Sequence, residues 1–137
     1  MVVLLATRPV EAGSLKPGSF IVIDGEPCKI IEIEKSKPGK HGSAKARITG
    51  IGLFDNVKRS LVVPTDSKVE VPVVSKKRAQ VIAVLGNTIQ LMDLTTYEVY
   101  EVPVPQEEEI ASKLESGKEV EVWEVMGRRK IVRILGG

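Results

Sequence analysis

The segment SKPGKHGSAKAR, residues 36–47, concentrates the side chains of this chain that could do chemistry. It carries four Lys and Arg side chains and no acid, and a fifth basic residue, His41, the single histidine of the chain, directly follows Lys40. A lysine amine becomes a nucleophile once it loses its proton, and clustered cations are typical of a surface that binds phosphates. The segment is therefore the first candidate for a functional site.

A phosphate-binding loop is the first reading that the pair Gly39-Lys40 suggests. That motif needs a glycine five residues before Gly39, a serine or threonine after the lysine, and a helix that follows. Glu34 and His41 occupy those two positions, and the residues that follow alternate as in a strand. The pattern therefore excludes a nucleotide-binding loop of this type.

Catalysis and metal binding find little support. His41 has no serine or cysteine partner beside it apart from Ser43, and serine is common in turns. One histidine, one cysteine and solvated carboxylates do not form a metal-ligand pattern. Cys28 stands alone before an apolar run, which predicts a small core residue in a reducing compartment. We expect neither catalytic residues nor a metal site.

Binding to an RNA backbone is the reading that the charges favour. The cations that would form a phosphate-tracking finger are Lys35, Lys37, Lys40, Lys45 and Arg47. Aromatic residues make up only 4% of the chain, which argues against reading single strands by stacking. A basic loop that is merely solvated stays open as the alternative at this point.

The elements around the segment predict an all-β protein. Two β-branched runs meet at Asp24-Gly25, a hairpin signal, and alternating strands lie on both sides of the basic segment. A new pattern with a tight turn at Gly86-Asn87 starts near Pro72, and residues 106–117 read as the one helix. We predict two small β barrels in tandem, over residues 1–71 and 72–137, the second compatible with an OB fold.

The charge is distributed unevenly along the chain, and the hydropathy pattern predicts a cytoplasmic protein. Residues 1–71 hold eleven Lys and Arg against eight Asp and Glu, whereas residues 72–137 hold nine against ten. The opening MVVLLA is too short for a signal-peptide core and is cut off by Thr7-Arg8-Pro9. No apolar run approaches the length that spans a membrane, so we expect no membrane partner.

The motif Lys37-Pro-Gly-Lys-His-Gly-Ser-Ala-Lys45 closely resembles the lysine-modification hairpin of the translation initiation factor 5A family, relatives of bacterial elongation factor P. The family pattern is Lys-x-Gly-Lys-His-Gly-x-Ala-Lys, and the likeness extends over the whole chain. Eukaryotic members usually have Thr at the place of Pro38 and His at that of Ser43, so this chain resembles the archaeal type. The resemblance implies an SH3-like N-terminal barrel and an OB-fold C-terminal barrel.

The resemblance also implies a role for Lys40. In this family that lysine receives an aminobutyl group from spermidine, added by a separate NAD-dependent enzyme, deoxyhypusine synthase, and some members are then hydroxylated to hypusine. Members of the family bind the ribosome, where the modified lysine holds the acceptor end of peptidyl tRNA in place beside large-subunit RNA. It acts on no small-molecule substrate. The residues expected to support the loop or contact RNA are Lys37, Gly39, His41, Gly42, Lys45 and Arg47.

Two further basic clusters lie in the second half of the chain. Their residues are Lys76, Lys77, Arg78, Arg128, Arg129 and Lys130, and they are expected either to touch RNA or to protect edge strands from aggregation. Trp123 lies in an alternating strand, which predicts a core residue. A generic RNA-binding module with an unmodified basic hairpin remains the alternative to a modified translation factor, and an enzyme is a distant third.

Overall fold

A computed structural model describes residues 6–37 and 44–137 as two compact units, which divide between Val73 and Val74. Strands dominate both units, and one short helix lies in the second. The sheets curl into two small barrels, so the predicted all-β fold class is confirmed. The division lies two residues beyond the sequence-based boundary at residues 71 and 72.

The first unit contains a four-stranded antiparallel sheet and a separate pair of strands. The sheet has the order β2-β3-β4-β5, and β1 pairs with β6. The strands are β1 (Thr7–Glu11), β2 (Phe20–Ile23), β3 (Glu26–Ser36), β4 (Lys45–Gly52), β5 (Lys58–Pro64) and β6 (Lys68–Pro72), with a 3₁₀ turn at Ala12–Ser14 between β1 and β2. Residues Ile21, Ile23, Cys28, Ile30 and Ile48 form the centre of its core.

The predicted turn at Asp24-Gly25 joins β2 to β3. Both residues have positive φ, 53° for Asp24 and 78° for Gly25, which is the backbone of a two-residue hairpin turn that matches strand twist. Cys28 lies just after this turn and is fully buried, as predicted, and burial raises the pKa of its thiol.

The second unit is a single five-stranded sheet with the order β11-β10-β7-β8-β9. Its elements are β7 (Val74–Val84), β8 (Thr88–Asp93), β9 (Val99–Pro103), α1 (Glu108–Ala111), β10 (Glu119–Val125) and β11 (Arg128–Gly136). The β7–β8 ladder shifts register between Val81 and Ala83, and the β10–β11 ladder does so at Glu119/Val120 and at Glu121/Val122. Irregularities of this kind bend a sheet toward closure.

The helix is shorter than the predicted span of residues 106–117. Only Glu108–Ala111 is helical, and Glu107, at its N-cap, makes no capping hydrogen bond through its side chain. The next turn tightens, because the amides of Lys113 and Leu114 donate to carbonyls three residues back. Ile110 and Leu114, the predicted apolar face, do pack against the barrel core.

An ion pair between Asp55 and Arg59 at the end of β4 depends on a glycine. Asp55 accepts hydrogen bonds from the amide of Val57 at 3.0 Å and from Arg59, whose Nη2 lies 2.8 Å from Oδ2. These bonds lower the pKa of Asp55 from an ordinary 3.8 to about 2. The paired carboxylate lies against Gly52, whose missing side chain leaves it room.

We predict that Gly52→Ala destabilises the protein by about 1–3 kcal/mol, because the new methyl group would overlap the Asp55 carboxylate. Chemical denaturation followed by circular dichroism measures the change in the free energy of unfolding. In an Asp55→Ala background the same substitution should cost less than half as much. Equal costs in the two backgrounds would contradict the steric explanation.

Candidate functional site

The strands that flank the basic segment form one antiparallel hairpin. Its ladder runs up to the last described residues, with Glu34 opposite Arg47, Lys35 opposite Ala46 and Ser36 opposite Lys45. Lys40, Gly39, His41 and Gly42 lie outside the described residues. The structure therefore describes the base of the predicted hairpin on both sides.

The alternation of β4 explains why cations line this hairpin. Ala46 and Ile48 are fully buried in the first core, so the strand residues that alternate with them, Lys45 and Arg47, must face outward. Lys45 and Arg47 are exposed, and Lys37, just beyond the end of β3, is exposed as well. All three of these predicted contact residues are therefore exposed to solvent at the hairpin base, where the exposed Glu34 lies opposite Arg47.

Lys35 differs from the other described cations of the predicted finger, Lys37, Lys45 and Arg47. Its Nζ donates a hydrogen bond of 2.8 Å to the backbone carbonyl of Gly13, in the 3₁₀ turn. That bond occupies one of the three donors of the ammonium and directs it toward the protein backbone. We therefore assign Lys35 to the support of the hairpin rather than to a ligand-facing surface.

The basic clusters of the second unit divide between the two faces of its sheet. Lys77 and Arg129 both reach Glu124, at 3.6 Å and 2.9 Å, and Arg129 also bonds Glu98 at 3.1 Å. The guanidinium carbon of Arg129 lies 4.1 Å from the centre of the Tyr100 ring. We call these five residues the Glu124 cluster. Both of its cations, Lys77 and Arg129, form ion pairs with carboxylates of the same unit.

The remaining cations lie on the outer face around Trp123. In the strand register Trp123 is opposite Lys76 on β7 and opposite Lys130 on β11. Arg78 pairs with Glu119, and Lys130 Nζ lies 3.5 Å from Glu107. Arg128, at the start of β11, is exposed. Much of the positive charge here is offset by acids.

Trp123 itself corrects the sequence-based interpretation. It is only partly buried and lies on the face of β10 opposite to the buried Val120 and Val122. Its indole N–H donates to Glu121 at 2.8 Å, and Lys76 Nζ lies 5.1 Å from the ring centre. Alternation alone could have assigned Trp123 to the outer face, because it shares parity with Glu119 and Glu121.

Other kinds of site are poorly represented in the described part of the chain. Within residues 6–37 and 44–137 no three His, Cys, Asp or Glu side chains are grouped so as to hold a metal ion. The same residues include no helix long and apolar enough to cross a membrane. An open cleft of about 540 Å³ beside β7 is lined by the basic triplet of residues 76–78 and by Thr95 and Thr96.

Comparison with family models divides the chain as the structure does. Residues 5–67 match the model described as translation initiation factor 5A-like, N-terminal. Residues 73–134 match the model described as eukaryotic elongation factor 5A hypusine, DNA-binding OB fold. The first match spans the whole basic segment, and together the two matches cover most of the chain.

Relatives and solved structures agree with these matches. A translation initiation factor 5A of Thermofilum pendens is 67% identical over 130 residues, which cover 95% of this chain and 98% of that protein. One of Korarchaeum cryptofilum is 58% identical over 127 residues, 93% and 95% of the two chains. The solved structure of eukaryotic translation initiation factor 5A from Methanococcus jannaschii has a TM-score of 0.88 at 50% identity and covers 98% of this chain and 100% of its own.

The Glu124 cluster yields a stability prediction. Glu124→Gln should lower the free energy of unfolding by about 1–2 kcal/mol at neutral pH, because Lys77 and Arg129 would lose their shared carboxylate. Hydrogen bonding to Arg129 lowers the pKa of Glu124 below its ordinary 4.5, so its contribution is present above that pH and lost as the pH falls through the lowered pKa.

Urea denaturation of both proteins at several pH values measures this difference, which should shrink below about pH 4.5. Glu101→Gln is the matched control, because Glu101 accepts a hydrogen bond from Thr88 that an amide oxygen can also accept. An equal loss in the two variants would contradict a special role for the cluster.

Proposed function

Because this chain belongs to the translation initiation factor 5A family, we propose that it acts on the ribosome through Lys40, lengthened by an aminobutyl group from spermidine. A separate NAD-dependent deoxyhypusine synthase would add the group in the cytoplasm. The modified side chain would hold the acceptor end of peptidyl tRNA and promote peptide-bond formation at slow sequences, such as runs of proline. The chain itself would catalyse no reaction and bind no small-molecule substrate.

One observation carries this proposal. The nine-residue motif from Lys37 to Lys45 stands intact within the N-terminal family match, and the strands on both sides of it pair in an antiparallel ladder. Such a ladder supports a lysine-bearing connection between two rigid strands. A rigid scaffold beneath a functional segment reduces the conformational freedom that binding must restrict.

The chemistry of the lysine agrees with modification by a second enzyme. An amine attacks an electrophile only when neutral, and the ordinary pKa of lysine is about 10.4, so the synthase must bind and desolvate it. Gly39 and Gly42 keep side-chain bulk away from Lys40 on both sides.

RNA phosphates are the expected partners of the hairpin base. Lys37, Lys45 and Arg47 are exposed on the described part of the hairpin, where each can contribute a charge contact to ribosomal RNA or tRNA. His41 would add a contact beside Lys40. The modified amine would supply orientation and positive charge to a reaction run by ribosomal RNA.

The second barrel offers a weaker contact surface. Lys76, Arg78, Arg128 and Lys130 share the outer face or its edge and remain candidates for RNA backbone contact. Lys77 and Arg129 are poorer candidates, because Glu124 already binds both. A phosphate would have to displace that carboxylate, which would then lose both of its cationic partners.

Mass spectrometry of protein purified from its own organism tests the proposal directly. The peptide spanning residues 36–47 should carry an added aminobutyl group on Lys40, or its hydroxylated form, which would also distinguish deoxyhypusine from hypusine. The mass of the same peptide from unmodified recombinant protein is the reference. An unmodified Lys40 in native material would contradict the proposal and favour a generic RNA-binding module.

Lys40→Arg separates charge from modification. Arginine keeps the positive charge but is not a substrate for aminobutyl transfer, so we expect loss of growth support and of proline-run synthesis in a translation assay. Binding to non-specific RNA should change by less than about twofold, because the number of phosphate contacts is preserved. Normal translation by this variant would show that modification of Lys40 is not required.

A further inference from the structure

Three hydrogen bonds connect both strands of the hairpin to the 3₁₀ turn of the first unit. Lys35 Nζ donates to the Gly13 carbonyl at 2.8 Å, and the Gly13 amide donates to the Thr65 carbonyl at 2.8 Å. The Thr65 amide in turn donates to the Ala44 carbonyl at 2.9 Å. We call these four residues, Gly13, Lys35, Ala44 and Thr65, the hairpin brace.

The brace joins the two points where the described chain approaches residues 38–43. Lys35 lies at the end of β3, two residues before the last described position on that side, and Ala44 is the first described residue on the other. Because the strands already pair through Ser36 and Lys45, the brace adds a second connection across the same end of the hairpin.

The middle of the brace is tightly packed. A β-carbon on Gly13 would lie 3.0 Å from the Thr65 carbonyl oxygen and 3.1 Å from Thr65 Cβ, closer than ordinary contacts. The neighbouring Ala12 is fully buried, and its amide donates to the Ser67 carbonyl at 2.9 Å. The 3₁₀ turn is therefore docked closely on the β5–β6 turn, and Gly13 is the residue that permits this approach.

We propose that the hairpin brace is a positioning device for modification of Lys40, with Lys35 and Gly13 as positioning residues. The inference rests on the proposed function. A second enzyme that docks on the hairpin base must restrict whatever freedom the two strand ends retain, and a preordered base reduces that entropic cost. Loosening the brace should therefore weaken docking of the chain on the synthase more than it slows the transfer step.

The experiment measures aminobutyl transfer to the purified unmodified chain by the deoxyhypusine synthase of the same organism, with spermidine and NAD. Lys35→Met removes the donor but keeps the length of the side chain, and we expect its KM as protein substrate to rise about three- to tenfold with kcat nearly unchanged. Lys35→Arg keeps a donor and should restore most of the affinity. Lys29→Met, on the same strand and also exposed, is the charge-matched control and should leave both constants unchanged.

Gly13→Ala tests the brace without a change of charge. It should raise KM in the same direction, and the double variant with Lys35→Met should be less impaired than the product of the two single effects, because both disturb one connected chain. Thermal unfolding establishes that each variant is folded at the assay temperature. If Gly13→Ala does not fold, the comparison of methionine and arginine at position 35 decides the question.

The possible failures are distinguishable. A wild-type chain that the synthase does not modify would overturn the proposed function, and this inference with it. A modified wild type with equal KM values for Lys35→Met and Lys29→Met would overturn the brace alone. The brace would also be overturned if the substitutions lowered kcat without raising KM. The same holds if the rise in KM of the double variant equalled the product of the two single rises.

Discussion

The pairing of β3 with β4 is the constraint on which the functional end of the first barrel depends. Ala46 and Ile48 are drawn into the core, and this fixes the register against Ile33 and Lys35 because a shift by one residue would expose both apolar side chains. The same register turns Lys45 and Arg47 to solvent. Core packing and presentation of the basic surface are thus two results of one alternation.

Positive charge has opposite uses in the two barrels. At the described base of the hairpin Lys37, Lys45 and Arg47 are exposed, whereas Lys35 donates to a backbone carbonyl. In the second barrel acids on neighbouring strands offset most of the basic clusters, so these cations join strands as much as they attract ligands. The cations at the hairpin base are therefore more accessible to an anionic ligand than those of the second barrel, because phosphate affinity depends on charges that can release counterions.

Glycine residues support close approach at two places in the first barrel. Gly52 leaves room for the Asp55 carboxylate at the far end of β4, and Gly13 lets the 3₁₀ turn contact Thr65 near the hairpin. The contact of Gly13 joins segments distant in sequence, whereas that of Gly52 is local, with a residue three positions later. Together they support both ends of the hairpin strands.

The sequence by itself determined the strand pattern, the turn at Asp24-Gly25, the burial of Cys28 and the family, because each of these depends on local periodicity or on a continuous motif. It overestimated the helix after Glu107, since tertiary packing decided how many turns could form. It also placed Trp123 in the core and treated Lys35 as a ligand contact. For Trp123 the shared parity with Glu119 and Glu121 already indicated the outer face. Only the tertiary structure decided the partner of Lys35, because the carbonyl that its ammonium reaches belongs to Gly13, 22 residues earlier in the chain.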